Sequence, residues 1–210
     1  RPNVETQWPD VRIHLHLTRE HATVYIDTSG EPLFKRGWRV DKGDAPLKET
    51  LAAAMIAATG WDPLGEQPLP LYDPCCGSGT VLIEAAQMAC RIAPGSQRRF
   101  AFEKLLPYQQ HVWIAIKNEA VSVVTKSVTP IFGSDVSHRM VDFAQRNAER
   151  AGVAASVQLR GGDALQRLPP CEQPGVMLLN PPYGERIAAA GSAGRNARER
   201  MGQVQRAGRE

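Results

Sequence analysis

The chain has 210 residues, 42% of them hydrophobic, and a formal charge of +3. That length suits one domain with a real core plus a small appendage, and the longest apolar run, residues 51–58, is far too short to cross a bilayer. Six arginines against three glutamates in residues 184–210 account for the whole charge excess, so charge alone does not argue for a nucleic-acid partner.

Four cysteines, with Cys75 and Cys76 adjacent, form neither a disulfide framework nor a zinc spacing. Reduced thiols, a cytoplasmic location, no membrane span and no metal are the expectations. The first residues, Arg1-Pro2-Asn3-Val4-Glu5, lack an initiator Met and an apolar signal region, and read as the inside of a longer protein.

In chain order, residues 11–17 alternate apolar and polar, residues 18–21 read as a turn, and residues 22–27 alternate again. This is a hairpin, and two strands alone are marginal in water. It is expected to belong to a sheet with further strands ahead of residue 1. His14 and His16 share a face and are expected to meet solvent rather than a metal. Lys35, Arg36 and Arg39, interleaved with Phe34 and Trp38, suit two readings. They grip a phosphate backbone and stack a base, or they form a linker whose aromatics dock on the next domain.

Residues 45–59 read as a helix with Leu47, Leu51, Ala54, Met55 and Ala58 on one face and Gly60 as its stop. A second helix is expected over residues 80–91. A third, over residues 108–122, should bury Val112, Trp113, Ala115 and Ile116 and lengthen a strand–helix–strand crossover. Residues 129–135 form a strand. Ser137 caps the next helix, whose face is Met140, Val141, Ala144 and Ala148 and which ends at Gly152. Strands follow at 155–160 and 176–180. Residues 188–210 are rich in Ala, Gly and Arg and are expected to be partly disordered or a frayed helix.

Two stretches carry chemistry. In Asp73-Pro74-Cys75-Cys76-Gly77-Ser78-Gly79-Thr80 a strand runs through a glycine turn into a helix, the layout of a nucleotide-binding βα unit. In Asn180-Pro181-Pro182-Tyr183 a stiff proline corner closes a buried strand at its carboxyl end, where open α/β sheets bind ligands. Asp73, Asp135 and Asp163 each follow a strand. As a set they suit a ligand; singly, each could be a helix N-cap.

Together these stretches resemble S-adenosylmethionine-dependent methyltransferases acting on exocyclic or amide nitrogens. Their lead-in, Ser29-Gly30-Glu31-Pro32-Leu33 with Arg36-Gly37-Trp38-Arg39 and residues 45–52, is similar to that of the THUMP-associated RNA methyltransferases. The resemblance covers about residues 11–187 and implies a Rossmann-like α/β fold, a parallel sheet with helices on both faces. It implies S-adenosyl-L-methionine held by Asp73, Cys75, Gly77, Gly79, Thr80, Asp135 and Asp163. Asn180 and Pro181 would accept the target amine's N–H bonds, and Tyr183 would stack on the base.

The implied reaction is methyl transfer to N2 of a guanosine in 23S rRNA, with Lys35, Arg36, Trp38 and Arg39 on the RNA. Residues 1–40 would end a THUMP RNA-binding domain, residues 41–187 would be the methyltransferase domain, and residues 188–210 a tail. Most of the THUMP domain and the last three strands of the sheet are missing, which implies a truncated fold with residues 176–180 at an exposed edge. Rival readings are an adenine-N6 DNA enzyme, a glutamine-N5 enzyme acting on release factors, and an inactive fragment that binds RNA or cofactor.

Overall fold

The computed structural model describes residues 4–7 and 9–181. Pro182, Tyr183 and the segment at 188–210 lie outside the described residues.

β1 (Ile13–Leu17) and β2 (Ala22–Ile26) pair antiparallel, with Ile13 opposite Ile26 and Leu15 opposite Val24. Strand periodicity sends Ile13, Leu15, Leu17, Val24 and Ile26 to one face, and that face is exposed, as are His14 and His16.

The rest builds on a four-stranded parallel sheet of order β5-β4-β3-β6. β3 (Leu71–Asp73) is central, with β4 (Ile131–Asp135) on one side and β6 (Val176–Met177) on the other; β5 (Gln158–Gly161) lies outside β4. Leu71 and Ile131 are directly opposite and fully buried, so the apolar runs around them sit where two-sided burial needs them. β6 is shorter than expected. Val176 and Leu178 still donate to Pro70 and Tyr72 carbonyls at 2.8 and 3.0 Å, but pairing ends before Asn180-Pro181, where proline has no N–H to give. Among the described residues β6 is an edge strand.

α1 (Glu49–Ala58) packs on α2 (Thr80–Ala89), α2 on β3 and β4, and α4 (His138–Arg150) on β4 and β5, with α2 touching α4. α2 is buried almost all round. Val81, Leu82, Ile83, Ala85 and Ala86 form the middle of the core with Ala52, Ile56, Ala144, Ala148 and Trp38.

Three expectations are corrected. α1 begins at Glu49 and buries Glu49, Ala52 and Ile56, whereas Leu51 stays half-exposed. The face is set by Glu49, whose carboxylate has a buried partner, not by the apolar count. α3 (Gln110–Ser122) buries none of its residues, and Val112 and Ile116 are 43% and 49% exposed. It is held from one side, where Trp113 meets Phe100 and Phe102 edge-on at 5.7 and 5.0 Å. Ser137 stands at the N-cap of α4 but its side chain makes no cap bond. Asp135 Oδ1 instead accepts the Ser137 N–H at 2.9 Å.

Candidate active site

The glycine turn is held against β4. Cys76 N–H donates to the Ser134 carbonyl, Gly77 N–H to Asp135 Oδ2, and Gly79 N–H to the Cys76 carbonyl, each at 2.9 Å. Gly77 and Gly79 both take positive φ, +53° and +89°, where a side chain is strained. Their surroundings differ. A Cβ on Gly79 would lie 3.0 Å from Ala144 Cβ, whereas a Cβ on Gly77 would meet nothing within 4 Å. Gly79 allows α2 to approach α4; Gly77 leaves space open.

That space is a cavity of about 550 Å³ at the carboxyl ends of β3 and β4. Asp73, Cys75, Gly77, Thr80, Asp135, Asp163, Asn180 and Pro181 all line it. The two motifs, about a hundred residues apart in sequence, therefore share one chamber. Gly79 is not among the lining residues. Residues 42–47, Arg139 and Met140 complete the wall and were not anticipated.

The carboxylates are individually tethered. Asp73 Oδ1 accepts the Cys75 N–H at 3.0 Å. Asp163 Oδ1 accepts the Leu165 N–H at 2.9 Å. Asp135 takes one backbone N–H on each oxygen, which leaves each oxygen a lone pair for a ligand. Burial pushes Asp73 up to about 7, with the charge of Asp135 adding to the rise against the Cys75 hydrogen bond. Burial and the nearby acids push the Cys75 thiol up to about 11, and Cys76 rises well above its usual range for the same reasons. Both are protonated at neutral pH and are not nucleophiles.

The segment from Arg36 to Asp41 departs most from expectation. Arg36 forks onto Glu84 of α2 at 3.1 and 3.0 Å. Trp38 is 1% exposed and belongs to the core. Arg39 donates to Glu49 at 2.8 Å, Ser78 Oγ at 3.2 Å, Thr80 Oγ1 at 2.8 Å and the Leu47 carbonyl at 3.0 Å. Asp41 pairs with Arg146 and Arg150 of α4. Asn147, fully buried, donates to the Asp41 and Ser78 carbonyls at 2.8 and 3.0 Å. RNA contact at Arg36, Trp38 and Arg39 is thus corrected: an interior indole cannot stack on a base, and both guanidinium groups are spent on buried partners. Lys35 remains exposed, paired with Glu31. The segment is a strap inside the α/β unit, so a boundary at residue 40 would cut through its core.

Sequence reasoning missed Arg39 and Asn147 as supports of the turn. A signal existed for Asn147: it is a polar residue on the same stripe as Ala144 and Ala148, and a buried polar group demands partners.

A parallel sheet with a glycine turn after its central strand and a ligand-sized chamber at its carboxyl edge defines a Rossmann-like nucleotide-binding domain. The family profile described as RMKL-like, methyltransferase domain (UPF0020) matches residues 36–207, and the THUMP domain profile matches residues 1–27. The chain belongs to the RMKL-like methyltransferase domain family.

It is 45% identical over 195 residues to the ribosomal RNA large subunit methyltransferase K/L of Psychromonas ingrahamii, covering 90% of this chain and 25% of that one. It is 47% identical over 192 residues to its counterpart in Shewanella pealeana, covering 89% and 26%. The chain therefore spans about a quarter of the length of these relatives. Among solved structures, a Listeria monocytogenes protein described as a predicted N6-adenine-specific DNA methylase superposes with TM-score 0.80 at 36% identity, covering 93% of this chain and 50% of that one. SMU.472, described as a methyltransferase and solved with SAH, gives TM-score 0.76 at 38% identity, covering 86% and 46%. Among the described residues, no helix is long and apolar enough to cross a membrane.

Proposed function

We propose that this chain is the catalytic part of a cytoplasmic S-adenosylmethionine-dependent RNA methyltransferase acting on the exocyclic N2 of a guanosine in 23S rRNA. Residues 1–40 then include the end of a THUMP RNA-binding module and the strap that joins it to the domain. One observation carries the reading: Asn180 and Pro181 line the same chamber as Gly77, Asp73 and Asp135. The residues present fit the ligand. The open space at Gly77 accepts a close-lying ligand, Asp73 suits an α-ammonium, and the free lone pairs of Asp135 suit two ribose hydroxyls.

When bound, S-adenosylmethionine supplies a methyl group made electrophilic by its sulfonium. The nucleophile is the harder problem, because an amine on a nucleobase has its lone pair delocalised into the ring. The Asn180 carboxamide oxygen and the Pro181 carbonyl accept that amine's two N–H bonds. This draws the nitrogen toward sp³ and aims its lone pair. The effect is positioning together with electrostatics. Tyr183, in the same motif, is the residue we assign to stack on the target base.

The Listeria neighbour's description makes adenine N6 of DNA the second reading. Labelled S-adenosylmethionine, incubated with the protein and separately with ribosomal RNA, DNA and release factor, decides between them. Label in N2-methylguanosine of the RNA is expected. Label confined to DNA or to protein overturns the proposal, and absence of S-adenosylhomocysteine binding by calorimetry reduces the chain to an inactive fragment.

A further inference from the structure

Away from the chamber, a second concavity of about 400 Å³ opens between residues 96–104 and α3. Its lining is basic and aromatic: Arg98, Arg99, Phe100, Lys104, Trp113 and Lys117. The acid in its wall, Glu103, is already occupied, since Oε1 accepts the Phe100 N–H at 2.9 Å.

The cations differ in what holds them. Arg98 is structural. Its guanidinium donates to the carbonyls of Ser29 and Pro32, both at 3.0 Å, and to those of Glu31 and Lys35, while also lying over the Phe100 ring. Lys104 pairs with Asp10 at 2.5 Å, both side chains well exposed. Arg99 and Lys117 are exposed, and among the described residues neither forms an ion pair. Lys117 lies 5.7 Å from the centre of the Trp113 ring.

The groove is rigid and sits at a junction. Phe100 stacks on Phe102 at 5.4 Å, and Trp113 closes on both edge-on. Arg98 and the Phe102 N–H, which donates to Thr28 O at 3.1 Å, fasten the wall to the chain just after β2. Lys104 ties it to the residues ahead of β1. The groove therefore runs beside the hairpin that the THUMP profile matches.

We propose that this groove is an RNA-binding surface that takes a single-stranded segment of the substrate, with Arg99, Lys104 and Lys117 on its phosphates and Trp113 offering a face to a base. Positive charge tracking a backbone beside aromatic planes is the chemistry of single-strand recognition. Unspent cations answer a polyanion, and a half-buried indole answers a flat unpaired base, which a duplex does not present. The inference rests on the reading of the chain as an RNA methyltransferase, and gives that reading the RNA contact that residues 36–39 cannot provide.

The test uses the full chain and a short fluorescein-labelled single-stranded RNA in an anisotropy titration across a salt series. Arg99→Ala/Lys117→Ala is expected to raise the RNA Kd about tenfold and to lower the slope of log K against log salt by about 2. S-adenosylhomocysteine affinity and the unfolding midpoint should stay unchanged, because neither side chain supports the fold. Lys117→Arg should bind RNA as the parent does. Unchanged RNA affinity and salt slope in the double variant overturn the groove. So does duplex DNA that binds as tightly as RNA and is weakened equally. If the parent binds S-adenosylhomocysteine and methylates RNA while the variant binds RNA normally, the groove alone is refuted. If the parent does neither, the methyltransferase reading fails and the groove inference falls with it.

Discussion

Arg39 donates to the hydroxyl of Thr80 at 2.8 Å and so ties the strap entering the domain to the first residue of α2. The same guanidinium holds Ser78, Glu49 and the Leu47 carbonyl, and Leu47, Ser78 and Thr80 all line the chamber. A single buried cation therefore sets the shape of one wall. Arg39→Ala leaves the Glu49 carboxylate buried and unpaired, and breaking such a pair costs about 3–5 kcal/mol. Urea denaturation should show that loss. Arg39→Met with Glu49→Leu should recover most of the stability yet still bind S-adenosylhomocysteine at least about tenfold more weakly, because the loss of about two charge-assisted hydrogen bonds is uncompensated. A double variant binding like the parent would deny Arg39 any part in shaping the site.

Asp73 makes the protein pH-sensitive. Its folded-state pKa is raised from 3.8 to about 7, chiefly by burial, so the folded chain holds this proton more tightly than the unfolded chain between those values. Its contribution to stability is complete below 3.8 and is lost as the pH rises through about 7. Asp73→Asn should be more stable than the parent at about pH 8 and no more stable near pH 4. Ligand binding has the opposite sense, since an α-ammonium needs the carboxylate. S-adenosylhomocysteine affinity should rise about tenfold per pH unit up to about 7 and then level off. Calorimetry across that range checks it, and a flat profile in the parent would remove Asp73 from the ligand.

Three glycines of positive φ separate backbone strain from space. Gly152 and Gly77 both have open surroundings, and Gly79 faces Ala144. Each substitution by Ala should cost about 1–2 kcal/mol for the left-handed backbone, and Gly79→Ala about 1–3 kcal/mol more for overpacking. Chemical denaturation gives these values. Of Gly77→Ala and Gly152→Ala, equal in stability, only the former should weaken S-adenosylhomocysteine binding, because its new methyl enters the chamber.

Asn180→Ala should lower kcat by about 10²–10³, the usual loss for one preorganised polar contact at a reacting centre. S-adenosylhomocysteine affinity should be unaffected. Parallel loss of both would assign Asn180 to the cofactor side of the chamber.

The elements around the chamber were legible because local chemistry dictates them. Leu71 and Ile131 lie in short apolar runs that end in an acid, and the Gly77–Gly79 turn leads directly into an apolar helix. Asn180-Pro181 ends its strand through the missing proline N–H. Arg36, Trp38 and Arg39 were not legible. A cation beside an aromatic has the same local pattern on an RNA-facing surface and inside a protein. Only the positions of Glu49 and Glu84 distinguish the two, and both lie on helices further along the chain.

α3 misled for the converse reason. Its apolar spacing marks a face without showing whether anything covers it, and here only Trp113 finds partners.

The amino-acid order by itself determined the strand–turn–helix unit, the proline corner and the family to which they belong, because turns, caps and strand ends are written in adjacent residues. Tertiary structure alone decided which charges are spent. An ion pair such as Arg36–Glu84 joins residues 48 positions apart, and a cation is free to meet a phosphate only if no buried carboxylate has already claimed it.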